Sequence, residues 1–261
     1  MNKHNVSPPG TVPARPVAAR ASAIAPVRFE LAVGMVVLAL VLAALVVVIG
    51  LPGLSVMWAV LVYAGMVVLL LRHWPDQSQS LGVANRITLG RALVVAVLAG
   101  ASAGFPALAP NTGVLALMAL VALVLDGVDG WAARRWRCVS EFGARFDMEL
   151  DAFLILVLCA LLWVLDRAGV WVFAIGAMRY LFVLAMRPWP WLAAPLPPSQ
   201  RRKAVCVWQV GSLLVCLLPG VRGGFALFLL WAALALLVWS FALDVRWLHR
   251  QRAVSAVGSF P

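Results

Sequence analysis

The chain has 261 residues, of which 64% are hydrophobic and only 12% charged, and its mean hydropathy is +0.98. Because a soluble domain is nearer half apolar and a quarter charged, this composition excludes an ordinary soluble protein and indicates a polytopic helical membrane protein. The net charge of +11 is explained better by basic cytoplasmic loops than by nucleic acid, which is not an expected partner. The four cysteines form no CxxC motif and predict no disulfide framework.

In chain order, a Pro-, Ala- and Ser-rich stretch comes first and predicts a disordered cytoplasmic tail over residues 1–28. Eight apolar segments follow, and each predicts a membrane-spanning helix. They cover residues 29–50, 54–72, 86–106, 112–133, 144–165, 169–187, 203–219 and 224–245. The predicted fold is therefore all-α, a polytopic transmembrane helical bundle. Its parts are two extra N-terminal helices (29–75), a six-span core (76–245) and a cytoplasmic tail (246–261).

The basic residues predict how this bundle is oriented. With the N-terminus inside, all of the 21 Lys and Arg residues except Arg167 and Arg222 fall on the cytoplasmic side. An even number of spans with both termini in the cytoplasm fits this pattern, whereas one span fewer would break the alternation. The predicted location is a bacterial inner membrane, with both termini on the cytoplasmic face.

Acidic residues are concentrated in one short stretch, since six of the ten lie between Leu125 and Asp151. Asp126 and Asp129 are three apart at the end of the fourth span, and Asp147 and Asp151 are four apart at the start of the fifth. Each pair therefore shares one helix face. Because the connection is short, we expect the two spans to pack as an antiparallel hairpin that brings four carboxylates together. Such a cluster needs a counter-charge, and its hard oxygen atoms suit Mg²⁺, Mn²⁺ or Ca²⁺.

The alternative for these acids is that they form solvated ion pairs with the arginines of the loop. We favour that interpretation for Glu141 and Glu149. The regular spacing of the four aspartates over two helix faces argues against it. The small residues Gly130, Ala133 and Gly143 lie beside the carboxylates, and a glycine lets a ligand or another backbone come close.

The full motif reads Asp126-x-x-Asp129-Gly130-x-x-Ala133-Arg134, then eight residues, then Gly143-x-x-x-Asp147-x-x-x-Asp151. It resembles the signature of the CDP-alcohol phosphatidyltransferases, and every signature position is filled at the family's spacing. That family also tends to carry Asn-x-x-Thr-x-x-Arg at the start of its first core span, here Asn85, Thr88 and Arg91. The resemblance covers residues 76–245, and the subtype it suggests is similar to a phosphatidylglycerophosphate synthase.

The resemblance implies an enzyme of phospholipid biosynthesis that transfers a phosphatidyl group from CDP-diacylglycerol to an alcohol and releases CMP. It also implies that the protein forms a homodimer. Asp126, Asp129 and Asp147, together with Asp151, would hold Mg²⁺ or Mn²⁺, and Asp151 would be the general base. The implied nucleotide-binding residues are Gly130, Ala133, Arg134, Gly143, Asn85 and Thr88.

Basic residues predict where an anionic acceptor would bind. Arg179 lies inside the sixth span, and Arg201, Arg202 and Lys203 precede the seventh; Arg91 is a further candidate. Arginine binds phosphate through bidentate hydrogen bonds, although the basic triplet could instead be a membrane anchor. If these residues bind phosphate, glycerol 3-phosphate is the expected acceptor. Inositol phosphate, serine, choline, a second lipid and donors of the CDP-choline or CDP-ethanolamine type stay open.

A divalent-cation transporter and a non-catalytic membrane scaffold are alternatives of a different class. A transporter is expected to place its acids near the bilayer midplane, often in repeated halves. Here the acids lie at one edge, and the sequence has no evident internal repeat. A scaffold would not need aspartates at metal-ligand spacing, so an enzyme is the favoured interpretation.

Overall fold

The computed structural model describes residues 17–73, 82–104, 108–135 and 141–257. All regular structure in these residues is helical, which confirms the all-α prediction. Eight α-helices follow the eight predicted apolar segments in order. They are α1 (Val17–Ile49), α2 (Gly53–His73), α3 (Gly82–Ala103), α4 (Thr112–Arg135), α5 (Glu141–Val164), α6 (Phe173–Ala185), α7 (Gln200–Leu217) and α8 (Gly224–Val257).

Both terminal helices extend further than the sequence predicted. Helix α1 begins at Val17 and so includes residues 17–28 of the predicted tail. Five alanines lie between residues 18 and 25, and alanine has the highest helix propensity, which explains the extension. Residues 1–16 of that predicted tail lie outside the described residues. Helix α8 continues through most of the predicted C-terminal tail, to Val257.

Five of the helices are long and apolar enough to cross a bilayer, with spans at Val27–Ile49, Gly53–Arg72, Arg86–Ala103, Ala109–Trp131 and Gly224–Arg252. Helix α6 is shorter, because its 13 residues rise only about 20 Å against a hydrocarbon core of roughly 30 Å. Helices α5 and α7 carry charged residues in their first turns. The chain is therefore an integral membrane protein, and the count of eight crossings stays a prediction.

Helix α3 lies at the centre of the bundle. The buried share of its apolar span is 56%, whereas no other candidate span exceeds 28%. It packs against α1, α2, α4 and α5. Its small residues Ala92, Ala96 and Ala101 are almost fully buried, which lets the neighbouring helices come close. The central position of α3 brings its polar side chains into contact with residues of both α4 and α5.

The expectation that α4 and α5 pack on each other as a hairpin is wrong. Both helices pack against α3 and α7, and among the described residues they make at most marginal contact with each other. The physical reason is packing, because α3 lies against both helices and takes the place that each would occupy beside the other. A buried arginine of α3 contacts aspartates of both helices. The aspartates still converge, but they do so across a third helix.

Candidate active site

The four aspartates come together at one end of the bundle. Asp126, Asp129 and Asp147 each offer a carboxylate oxygen, and these three oxygens lie within 4.8 Å of one another. Asp129 is the most enclosed, with 4% of its side chain exposed, compared with 34% for Asp126, 35% for Asp147 and 45% for Asp151. The site therefore has a closed floor at Asp129 and opens toward Asp151.

A fully buried arginine, Arg91 of α3, lies among these carboxylates. Its Nη1 is paired with Asp126 and lies 3.7 Å from an Asp129 oxygen. Its Nη2 is paired with Asp147, lies 3.2 Å from an Asp151 oxygen, and donates to the Asp147 carbonyl at 3.2 Å. One guanidinium thus bridges the aspartates of α4 and those of α5.

The sequence had suggested Arg91 as an acceptor-binding residue; in the structure it is paired with the aspartates, and contact with an acceptor stays a prediction. A charged side chain that is 0% exposed needs a partner, because an unpaired buried charge is very costly. The four carboxylates supply that partner. The planar guanidinium has donors on two sides, so it can contact two helices together, which a compact ammonium group could not do in the same way.

Thr88, one turn before Arg91 on α3, supports the most buried aspartate. Its Oγ1 donates a hydrogen bond of 3.0 Å to Asp129 Oδ2. The sequence placed Thr88 among the nucleotide-binding residues, and contact of Thr88 with a nucleotide stays a prediction. Asn85, one turn earlier, lies on α3, but its side chain is outside the described residues.

The cluster has an excess of negative charge that a bound cation would balance. Four carboxylates face the single guanidinium of Arg91, so the site carries three uncompensated negative charges when all are ionised. Clustered carboxylate oxygens are the donor set that Mg²⁺ and Mn²⁺ prefer. The trio of Asp126, Asp129 and Asp147 therefore fits a divalent cation, and the donor set does not distinguish between the two ions.

The chain was compared with models of known protein families, and one family model matches it. The model of the CDP-alcohol phosphatidyltransferase family matches residues 81–239, which include Thr88, Arg91 and all four aspartates. The chain belongs to the CDP-alcohol phosphatidyltransferase family. No curated protein and no solved structure matches the chain.

Members of the CDP-alcohol phosphatidyltransferase family are phosphotransferases, so the chain is an enzyme and neither a transporter nor a scaffold. The family uses a CDP-alcohol substrate and membrane lipid, and it generally depends on a divalent metal. The match falls within the predicted core of residues 76–245. Helices α1 and α2 lie outside the matched residues.

The remaining signature residues of the family lie on the same two helices as the aspartates. Gly130 follows Asp129 on α4, and Gly143 lies in the first turn of α5; both are partly buried. Ala133 and Arg134 are on the last turn of α4, and their side chains lie outside the described residues. Contact of these residues with a nucleotide stays a prediction.

The predicted acceptor-binding residues fall into two separate places. Arg179 of α6 donates to Glu149 of α5 at 2.6 Å, so Glu149 has an ion-pair partner on α6; residues 136–140 of the loop lie outside the described residues. Arg201 and Arg202 at the start of α7 share one partner, Asp244 of α8.

Arg201 also donates to Ser240, at 2.7 Å to its carbonyl and 3.0 Å to its hydroxyl. Lys203 is exposed. The group formed by Arg201, Arg202, Lys203 and Asp244 keeps a net positive charge.

The sequence interpretation missed Asp244. It is 8% exposed and is the only acid in α8. That isolation was the available signal, since an ionisable residue in an apolar helix is expensive and usually has a partner. Its partners are more than 40 positions away in the chain, so no local pattern could name them.

Proposed function

We propose that this enzyme transfers a phosphatidyl group from CDP-diacylglycerol to a small hydroxylated acceptor, with release of CMP, in phospholipid biosynthesis. The favoured acceptor is glycerol 3-phosphate, as in a phosphatidylglycerophosphate synthase. The observation that carries the proposal is the convergence of four aspartates from α4 and α5 around Arg91. This is the arrangement that a diphosphate-cleaving site requires, because negative charge grows on the leaving group.

The donor side of the reaction is assigned to Asp126, Asp129 and Asp147, which would hold Mg²⁺ or Mn²⁺ with a contribution from Asp151. Such a cation acts as a Lewis acid toward phosphoryl oxygens. The residues of the chain keep the carboxylates in place for it. Thr88 orients Asp129, and Arg91 holds Asp126 against Asp147.

Asp151 is assigned as the general base. Its side chain is the most exposed of the four, at 45%, so an acceptor hydroxyl can approach it from outside the cluster. In the proposed step Asp151 takes the hydroxyl proton, and the acceptor oxygen bonds to the phosphorus that carries diacylglycerol. The bond from that phosphorus to the bridging oxygen breaks, and CMP leaves. A positioned base of this kind typically contributes about 10²–10⁴-fold to the rate.

An anionic acceptor is supported by the charge at the start of α7. Arg201, Arg202 and Lys203 have one carboxylate partner, Asp244, among the described residues. Helix α7 packs against both α4 and α5, the two helices that carry the aspartates. Arginine and lysine at such a place suit the phosphate of a polyol phosphate.

The nucleotide is assigned to the signature residues. Gly130, Ala133 and Gly143 would leave room for the cytidine, and Arg134, Asn85 and Thr88 would contact it. The site would face the cytoplasm of a bacterial inner membrane, and a homodimer is the proposed assembly. These assignments follow from the family and from the distribution of basic residues.

The deciding experiment measures CMP release by the purified protein in liposomes with CDP-diacylglycerol and Mg²⁺ or Mn²⁺. One acceptor is added to each reaction: glycerol 3-phosphate, inositol phosphate, inositol, serine, choline or phosphatidylglycerol. We expect metal-dependent release with glycerol 3-phosphate, and an Asp126→Asn, Asp129→Asn variant serves as the inactive control.

Release with a different acceptor would replace glycerol 3-phosphate and keep the reaction. Release only from CDP-choline or CDP-ethanolamine, with diacylglycerol as acceptor, would replace the donor. Silence under every condition would contradict the proposal.

A further inference from the structure

Helices α1 and α2 lie outside the family match, yet both pack against α3, the helix that carries Thr88 and Arg91. At one end Glu30 of α1 is paired with Arg86 of α3. Arg86 Nη2 lies 2.7 Å from Glu30 Oε1, and its Nε lies 3.2 Å from Oε2. Because 57% of the Arg86 side chain is exposed, the pair adds little stability. Its two hydrogen bonds join α1 to the start of α3.

A second contact, much tighter, lies beside Thr88. A Cβ added at Gly34 of α1 would lie 2.2 Å from the Tyr63 hydroxyl of α2 and 3.7 Å from a methyl group of Leu89 of α3. Tyr63 is fully buried, and its hydroxyl has no hydrogen-bond partner in the part of the chain that the structure describes. Three helices therefore meet where there is no spare volume.

A third contact lies at the other end of α3. A Cβ at Gly100 would lie 2.4 Å from the Ser55 carbonyl oxygen of α2, and one at Gly104 would lie 1.9 Å from the Ser55 hydroxyl. Glycines allow this backbone approach. From Arg86 to Gly104 the chain rises about 27 Å at 1.5 Å per residue. The three contacts thus hold α3 over nearly its whole length.

We propose that α1 and α2 form a positioning element that sets the rotation and axial height of α3. Through α3 they place the Arg91 guanidinium and the Thr88 hydroxyl against the aspartates. This inference rests on the proposed function, because it assigns those aspartates to metal binding. Successive side chains on a helix are about 100° apart, so a shift of α3 by one residue in register would turn Arg91 away from the cluster. Gly34 is a positioning residue, because it leaves room for the Tyr63 ring between α1 and α3.

The test uses Gly34→Ala, Tyr63→Phe and the double variant in the full-length protein in nanodiscs. Mn²⁺ affinity and the number of Mn²⁺ sites are measured by electron paramagnetic resonance. We expect Gly34→Ala to weaken Mn²⁺ affinity by about 10-fold, the lower range for losing a residue that orients metal ligands. Tyr63→Phe alone should leave affinity unchanged. The double variant should restore it, because the nearest remaining ring atom, Cζ, lies 3.3 Å from the new methyl.

The matched control is Gly65→Ala on α2, where an added Cβ meets nothing within 4 Å. A merely structural role would lower the number of sites per protein and leave the affinity of the remaining sites unchanged. That result, or no restoration in the double variant, would overturn the proposal.

If Gly34→Ala fails to fold, the charge exchange of Glu30→Arg with Arg86→Glu replaces it. Each single change should weaken affinity and the pair should restore it; no restoration would overturn the proposal. Mn²⁺ binding needs neither donor nor acceptor, so a failure of CMP release would count against the proposed reaction alone. A wild-type protein that binds no Mn²⁺ would overturn both.

Discussion

Arg91 is a buried cation whose fork-shaped head group joins two helices that scarcely touch each other. Lysine would keep the charge but could not bridge Asp126 and Asp147 with paired donors. We therefore expect Arg91→Lys to weaken Mn²⁺ affinity by about 10-fold, through loss of the orientation of the ligands. Calorimetric titration of the purified protein checks this, with Arg145→Lys, an exposed position of α5, as the control. Tighter binding in Arg91→Lys would mean that the guanidinium competes with the ion.

Asp151 is predicted to be the general base for the acceptor, and Asp129 is predicted to be a metal ligand. Two variants distinguish these roles. Asp151→Asn should lower kcat by about 10²–10⁴-fold, whereas its Mn²⁺ affinity should fall much less than that of Asp129→Asn, because Asp151 lies outside the close group of three. Asp129→Asn should lower both, because this carboxylate lies in the group of three. Glu149→Gln on the same helix is the control for charge. Near-normal turnover in Asp151→Asn would remove its role as base.

At the scale of the helices, the sequence predicted well where each helix lies in the chain, but it predicted poorly which helices and side chains contact each other. Apolar runs encode helices locally, so all eight segments appear in order. The spacing of three and four residues also placed each aspartate pair on one face. The partners of Arg91 lie 35 and 56 positions away, and a periodicity cannot carry that information. The same distance in sequence hid the partnership between Asp244 and the start of α7.

The start of α7 contacts α8 and is also the proposed acceptor site, and a different residue can be used to test each role. Arg201 ties α7 to Ser240 and Asp244 of α8, so its removal would loosen a helix contact as well as any acceptor site. Lys203 is exposed and tests the acceptor alone.

We expect Lys203→Ala to raise the KM for glycerol 3-phosphate by about 10-fold, corresponding to roughly 1.4 kcal/mol, with the donor KM unchanged. Steady-state kinetics against an Arg187→Ala control decide this. An equal rise in both KM values would favour a membrane anchor.

At the scale of the molecule, the charged groups divide between two ends. Arg167 donates to the carbonyls of Cys216 and Leu218 at 2.6 and 2.8 Å, which brings the connection after α5 next to the connection after α7. Burial and the charge of Arg222 lower the pKa of Arg167, and these are the two basic residues that the sequence predicted to lie outside. The aspartates lie at the opposite end of α5.

This division predicts a labelling pattern across the membrane. The apolar span Gly224–Arg252 rises about 42 Å, more than the roughly 30 Å of the hydrocarbon core, so its two ends lie on opposite sides. In a chain whose native cysteines are replaced by serine, Arg222→Cys should react with a membrane-impermeant maleimide in intact cells. Arg250→Cys, an exposed position at the other end, should react only after permeabilisation. The reverse pattern would place the aspartates outside, away from a cytosolic pool of polyol phosphate, and would contradict both the orientation and the proposed acceptor.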